Sequence, residues 1–220
     1  MDKDKTIDLS RNIVVAASNL IPGIGGVLAV FLDKYLPSTM EQRREEFLRT
    51  LSSDIDNLPS SVIERIMNDQ EYHSLMLKVF KSVVQEDKEI KKKAFRNILL
   101  NAATTINNTI NENEFYIKLL SDMTTDQIRI LHLFYLRDIK KSISFKNVYS
   151  FITKHWKNID ESYRFALITE IIRYGLITSS QKSNKAKGEG HQLSSFGERF
   201  ILFIFQPNET QDDYTEIYDN

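Results

Sequence analysis

The residue types that usually carry enzyme chemistry are sparse in this chain of 220 residues. The chain has no cysteine, which excludes disulfides, thiolate zinc sites, iron–sulfur clusters and a cysteine nucleophile. No Gly-x-Ser-x-Gly or His-Glu-x-x-His motif occurs. The histidines do not fall at the spacing of metal ligands; they are His73, His132, His155 and His191. We therefore expect no enzyme activity, no cofactor, no metal site and no small-molecule substrate.

His132 is the histidine that comes nearest to a candidate general base. It lies in the apolar run ILHLFY, where a histidine is more often a hydrogen-bonded core residue than a catalytic one. The acidic residues are scattered over polar helix faces and do not form the paired arrangement that acid–base catalysis needs. The sequence therefore favours a core position for His132.

Nucleic-acid binding is a second kind of chemistry that the C-terminal half could perform. Between Thr124 and Gln206 the chain has 13 Lys and Arg against 7 Asp and Glu. Glu161 and Glu170 lie beside the helical candidates and would repel phosphates. The candidate contacts are Ser162, Thr169 and Arg173 on a predicted helix, and Lys182, Lys185 and Lys187 in a polar loop.

Three short helices are predicted to position these polar candidates. The first begins at a capping box, residues 124–127, and the second covers residues 145–156. The third begins after Asp160 and ends at Gly175, a residue that suits a left-handed cap. Its apolar stripe, which we expect to face the core, consists of Phe165, Ile168, Ile172 and Leu176.

Two strands and a closing helix are predicted after the third helix. The strands contain Ile177 and Leu193 and flank the polar tip, and Ser195 with Glu198 is predicted to cap the closing helix. This order resembles a winged-helix domain, and the ending G-L-I followed by L-S-S-F-G-E-R-F carries the resemblance. It implies either DNA binding through the third helix or a protein-interaction domain, and the acidic neighbours favour the second.

The residues before this domain predict a helical bundle. One amphipathic helix begins at a capping box over residues 38–41, and a second begins at residues 61–64 after Pro59. Asp69 precedes a third helix, and the longest helix is predicted from Asp87 to about Ile110. The start of this last helix is basic, and we expect its lysines, Lys88, Lys91, Lys92 and Lys93, to form a solvated face.

Residues 12–32 form an uncharged stretch of 21 residues, close to the ~20 that span a bilayer. Proline and glycine in its middle predict two short apolar arms rather than one straight helix. Two interpretations stay open: a hairpin buried in the core, or a segment that engages a membrane or a partner when released. The segment consists of Ile13, Val14, Val15, Leu20, Ile21, Pro22, Gly23, Gly25, Gly26, Val27, Leu28, Val30, Phe31 and Leu32.

Neither end of the chain is basic. Residues 1–10 carry Asp2, Asp4 and Asp8 against Lys3 and Lys5, whereas an export signal begins with a positively charged region. We therefore expect the chain in the bacterial cytoplasm, with membrane association when the apolar segment is released. Residues 207–220 contain five acidic and no basic residues and predict a disordered tail.

Several short patterns resemble the abortive-infection alpha family of bacterial proteins. They are the apolar opening with its Pro-Gly break, Q-R-R at residues 42–44, N-I-L-L-N-A at 97–102, F-Y-I-K-L-L-S at 115–121, G-L-I at 175–177 and L-S-S-F-G at 193–197. The family name implies a part in phage defence. It implies no reaction and transfers no active-site residue.

These patterns together predict a mainly α protein. We expect an apolar helical hairpin over residues 1–36, a helical bundle over 37–123, a winged-helix-like domain with a small β-hairpin over 124–206, and the tail. The leading hypothesis is a non-enzymatic bacterial protein of phage defence, for which another protein or membrane lipid is favoured over DNA as partner. An oligomer is compatible with this hypothesis. The alternatives are a winged-helix DNA-binding transcriptional regulator and a protein-interaction scaffold.

Overall fold

A computed structural model of the chain describes residues 41–105, 110–141, 152, 153, 156, 160–179 and 191–206. Within these residues the fold is mainly α, as predicted, with eight α-helices and one two-stranded antiparallel sheet. The chain divides into two compact units, Met1–Ser121 and Asp122–Asn220. The predicted apolar segment, most of the helix over residues 145–156, the wing tip with Lys182, Lys185 and Lys187, and the acidic tail lie outside the described residues.

The helices that precede the division pack around a core of aliphatic side chains. In this unit α3 packs against α4, α1 packs against both, and α2 packs against α4. Leu51, Val79 and Ile98 are completely buried between them, and removing such side chains from water is the main stabilising term. The helices are α1 (Glu41–Asp56), α2 (Ser60–Asn68), α3 (Gln70–Val84), α4 (Glu89–Thr104) and α5 (Ile110–Asp122).

The starts of α2 and α3 differ in how the first backbone N–H groups are satisfied. The Asp69 carboxylate accepts hydrogen bonds from the N–H groups of Glu71 and Tyr72, so α3 begins where the sequence predicts. The predicted capping box at residues 61–64 is wrong, because Pro59 is the N-cap of α2 and Ser61 lies inside its first turn. Proline has no backbone N–H that would need a partner at the start of a helix, and its fixed φ is compatible with this position.

Helix α4 is shorter than predicted. It ends at Thr104, and Thr105 is already extended, so Ile110 begins α5 instead of ending α4. The Thr104 hydroxyl donates to the carbonyl of Leu100, so a side chain satisfies one of the carbonyl oxygens in the last turn of α4. Threonine and asparagine follow here, and both favour caps and turns over helix interiors.

Lys91 is buried, although the sequence predicts it on a solvated basic face. Only 8% of Lys91 is exposed. Its Nζ lies 2.9 Å from Oε2 of Glu86 and donates to the carbonyl oxygen of Ser121 at 3.1 Å. Position 91 belongs to the inward side of α4, together with Ala94 and Ile98. A buried ammonium is tolerated only with such partners: the ion pair joins α4 to the segment just before it, and the hydrogen bond to Ser121 joins α4 to the end of α5.

We predict that Lys91→Ala lowers the stability of the first unit by about 3 kcal/mol, because it leaves the Glu86 carboxylate without its partner in a largely dehydrated place. Hydrogen exchange of α4 peptides in the full chain measures this loss. Lys88→Ala is the control, since Lys88 and its partner Asp87 are both 60% exposed. Equal protection of α4 in the two variants would contradict the prediction.

The second unit combines three described helices with the hairpin. Strand β1 pairs with β2 in the register Ile177↔Leu193, Thr178↔Gln192 and Ser179↔His191. Helix α7 packs on α6 and β1, and α8 packs on β2. The elements are α6 (Thr125–Phe134), a π-helical turn (Tyr135–Ile139), α7 (Glu161–Arg173), β1 (Ile177–Ser179), β2 (His191–Leu193) and α8 (Ser195–Ile204).

Helix α6 begins and packs as its sequence predicts. The backbone N–H of Gln127 donates to the Thr124 hydroxyl, and the Gln127 side chain accepts from the Thr124 N–H at 2.8 Å. His132 is completely buried, with its ring stacked on Tyr135 and 5.0 Å from the ring of Phe205. The predicted core position of His132 is therefore confirmed.

The junction between the hairpin and α8 depends on two glycines. Gly175 has φ +73, the left-handed conformation predicted for the end of α7. Gly197 lies directly on the backbone of Leu176, and a Cβ at Gly197 would overlap the Leu176 carbonyl. Ser194, not Ser195, caps α8: the chain is still extended at Ser194, and the Ser194 Oγ accepts a hydrogen bond from the N–H of Gly197 at 2.8 Å.

We predict that Gly197→Ala destabilises the second unit by about 3 kcal/mol or more, because neither backbone can move aside without breaking the hairpin. Gly175→Ala is the matched control. It costs about 1 kcal/mol through its positive φ alone, since open space surrounds that position. Fluorescence of Trp156, the sole tryptophan, reports unfolding of this unit in the full chain. Equal losses, or the reverse order, would show that the Leu176 contact is not limiting.

Candidate functional site

The inner side of α7 holds the helix on the rest of the second unit. Leu167, Ile168 and Ile171 are buried there. Arg164 is buried with them, and its Nη1 donates to the carbonyl oxygen of Trp156 at 2.9 Å. These four positions follow the helical repeat, so they fix which residues of α7 point outward.

The opposite side of α7 is exposed and partly apolar. Phe165 is 65% exposed and Ile172 is 40% exposed, so the prediction that these two residues face the core is wrong. The spacing of the apolar residues fitted two neighbouring rows of the helix, and only the row through Ile168 is buried. We call the exposed side the outer face of α7; it consists of Ser162, Phe165, Ala166, Thr169, Ile172 and Arg173.

The polar side chains of the outer face make hydrogen bonds close to their own positions in the chain. The Ser162 hydroxyl donates to the Asp160 carboxylate, and the Thr169 hydroxyl donates to the carbonyl of Phe165 at 2.8 Å. Nη2 of Arg173 lies 2.7 Å from Oε2 of Glu170. These are the three predicted DNA contacts that the structure describes, and each already has a partner in or beside α7.

The beginning of α7 carries negative charge. The Asp160 carboxylate caps the helix and accepts from the N–H groups of Ser162 and Tyr163. The hydrogen bond from the Ser162 hydroxyl, followed by those from the two N–H groups, holds the pKa of Asp160 below its usual value. With Glu161 exposed next to it, the outer face is acidic at its N-terminal end.

Tyr163 connects the beginnings of α7 and α6. Its hydroxyl donates to Oδ2 of Asp126 at 3.3 Å. Partial burial, and then the nearby charge of Asp126, raises the pKa of Tyr163 above its usual value. The phenol therefore stays neutral and keeps its proton as the donor to α6.

The structure brings together only part of the predicted site. Ser162, Thr169 and Arg173 share the outer face of α7, whereas Lys182, Lys185, Lys187 and the apolar residues 13–32 lie outside the described residues. Sequence reasoning missed the exposed position of Phe165 and Ile172. Their separation of seven residues, two helical turns, places both on one line of the helix but does not tell whether that line is buried or exposed.

Other kinds of site find no support in the described part of the chain. No cluster of three acidic or histidine side chains could hold a metal ion there. No helix in those same ranges is long and apolar enough to cross a bilayer. Comparison of the chain with protein families, curated proteins and solved structures finds no match.

The lowered pKa of Asp160 predicts a pH effect. Asp160 binds its proton more weakly in the folded chain than in the unfolded one, so its stabilisation is present above the ordinary pKa of 3.8 and is lost as the pH falls through the folded pKa. We expect Asp160→Asn to have a lower melting temperature than the wild type at about pH 6. The difference is expected to shrink in acid, where the wild-type Asp160 is protonated and the side chain at position 160 is uncharged in both proteins. Trp156 fluorescence measures both melting curves, and a gap that ignores pH would contradict the role of the charge.

Proposed function

We propose that this chain is a non-enzymatic interaction protein whose second unit binds a protein partner through the outer face of α7. The observation that carries the proposal is the exposure of Phe165 and Ile172 on one line of a helix. Two such side chains, seven residues apart, resemble the anchors with which helices bind apolar grooves or other helices. Covering them removes apolar surface from water, which favours association.

The hydrogen bonds of the outer face support a protein partner over DNA. A helix that reads DNA needs donors directed at bases and phosphates. Ser162 and Thr169 direct their hydroxyl protons at acceptors of their own chain segment, and Glu170 offsets the charge of Arg173. Asp160 and Glu161 add negative charge at one end, which phosphates would be repelled by.

The wider prediction of a winged-helix-like domain is part of this proposal. The order of α6, α7, β1, β2 and α8, with an antiparallel hairpin between the last two helices, supports it. A winged-helix fold serves DNA regulators and protein-binding domains alike, so the chemistry of α7 decides between them.

The proposed biological setting is phage defence in a bacterial cell, on the resemblance to abortive-infection alpha proteins. In this proposal the apolar residues 13–32 are a second binding element, for a membrane or another protein. The outer face of α7 is then the contact that brings the chain to its partner.

A photo-crosslinking residue in place of Phe165, in the full chain expressed in bacteria, tests the proposal. We expect a protein adduct from position 165 that disappears when Ile172→Asp is added, because the two side chains share one contact. The same probe at Glu198, which is exposed on α8, is the control.

A separate measurement tests the alternative that the chain binds DNA. Fluorescence anisotropy with duplex DNA over a salt series is expected to show no binding that depends on Arg173. Binding that weakens steeply with salt and is lost in Arg173→Ala, without a protein adduct at position 165, would overturn the proposal in favour of a DNA-binding regulator.

A further inference from the structure

We propose that the π-helical turn at the end of α6 is a two-state element that responds to the position of the β1–β2 hairpin. In the first state, the one described above, the turn is π-helical and Arg137 holds the base of the hairpin. In the second state the turn is α-helical and this contact is lost. The device goes beyond the proposed function, because it involves neither the outer face of α7 nor a partner of that face.

Two unusual backbone features lie next to each other at the end of α6. The Lys140 N–H donates to the carbonyl of Tyr135 at 2.9 Å, five residues back instead of the four of an α-helix. Lys141 has φ 55, which places a residue with a side chain in the left-handed region. Such features are rare and unfavourable, and they persist where surrounding contacts hold them.

The sequence of the turn, YLRDI, does not account for the π form. It contains leucine and arginine, which have high α-helix propensity, and neither glycine nor proline. Phe134, directly before the turn, has φ −63 and ψ −40, the ordinary values of an α-helix. An α-helical turn is therefore the competing form of these five residues, and contacts from outside the turn must favour the π form.

Arg137 makes the contact that joins the turn to the hairpin. Its Nη2 donates at 2.9 Å to the carbonyl oxygen of His191, the first residue of β2, which lies 54 positions further along the chain. Nη2 also lies 2.8 Å from Oδ2 of Asp138, and the central carbon of the guanidinium lies 4.7 Å from the centre of the Phe134 ring. Hydrogen bonds from a charged donor are about twice as strong as neutral ones, so the bond to His191 favours the form of the turn that permits it.

The form of the turn decides the direction of Arg137. A π-turn holds one residue more than an α-turn, so the side chains after Tyr135 stand at different angles around the helix axis in the two forms. Closing the turn to the α form therefore moves the guanidinium away from the His191 carbonyl. In the other direction, a partner that displaces β2 removes the bond that favours the π form, and the turn closes. The exposed Lys140 and Lys141 then change their positions.

The hydrogen-bond partner of the Lys140 amide tests the two states directly. Scalar couplings across hydrogen bonds, measured by NMR on the full chain, identify the carbonyl that accepts from this amide. We expect Tyr135 in the wild type and Leu136, four residues back, in Arg137→Gln. Arg129→Gln is the matched control, since Arg129 forms its ion pair within α6. A coupling to Tyr135 in Arg137→Gln that equals the wild-type coupling would overturn the proposal.

Deletion of Ile139 tests the coupling in the opposite direction. It removes one residue from the turn, so the turn is expected to close in the α form although Arg137 is kept. We expect hydrogen exchange of the β2 amides to become about 10-fold faster, as in Arg137→Gln, and the two changes together to add little. Unchanged exchange of β2 in the deletion variant would show that the turn and the hairpin are independent, which contradicts the device.

Exchange of the α7 amides separates the device from a general loss of stability. In both variants we expect these amides to keep their wild-type rates, because α7 remains packed through Leu167, Ile168 and Ile171. Equal acceleration in β2 and α7 would show that the variants only destabilise the second unit, and would overturn the proposal.

Discussion

The burial of Leu167, Ile168 and Ile171 fixes the rotation of α7, and the character of the candidate site follows from it. A helix makes one turn every 3.6 residues, so a row of side chains that packs inward leaves the neighbouring rows outside. The guanidinium of Arg164 holds the same orientation by its hydrogen bond to the Trp156 carbonyl. Phe165 and Ile172 therefore stay outside this core, and the second unit has two apolar side chains exposed on one line of α7.

The features that the sequence predicts well are those that depend on a few neighbouring residues. Asp69, Thr124 and Asp160 cap their helices because a side-chain oxygen need only reach an N–H group two or three residues further along. Gly175 ends α7 for an equally local reason, since a positive φ costs glycine little. The mainly α class follows from the same local signals and from the helical repeat of apolar residues, and so does the buried position of His132.

The features that the sequence does not predict depend on distant partners. Lys91 is buried because Ser121, 30 positions further along, offers a carbonyl oxygen and Glu86 offers a carboxylate. Exposure of Phe165 depends on which of two adjacent rows of α7 the neighbouring elements cover, and the spacing of apolar residues is the same for both rows. The spacing of apolar residues along one helix identifies an apolar stripe on its surface. Whether that stripe faces the core depends on how the other elements of the fold pack against the helix.

Ser162, Thr169 and Arg173 are candidate DNA contacts in the sequence, and the direction of their hydrogen bonds is the reason that we propose a protein partner instead. Ser, Thr and Arg on an outward row are the side chains that contact bases and phosphates, provided that their donors point away from the helix. Here the Ser162 hydroxyl donates to the Asp160 carboxylate and the Thr169 hydroxyl donates to the carbonyl of Phe165. A face whose hydroxyl donors are already used, and whose arginine is paired with Glu170, offers little to a nucleic acid, which must be bound through new polar contacts. It loses little when it is covered by apolar groups, and Phe165 and Ile172 supply the apolar groups that gain from being covered.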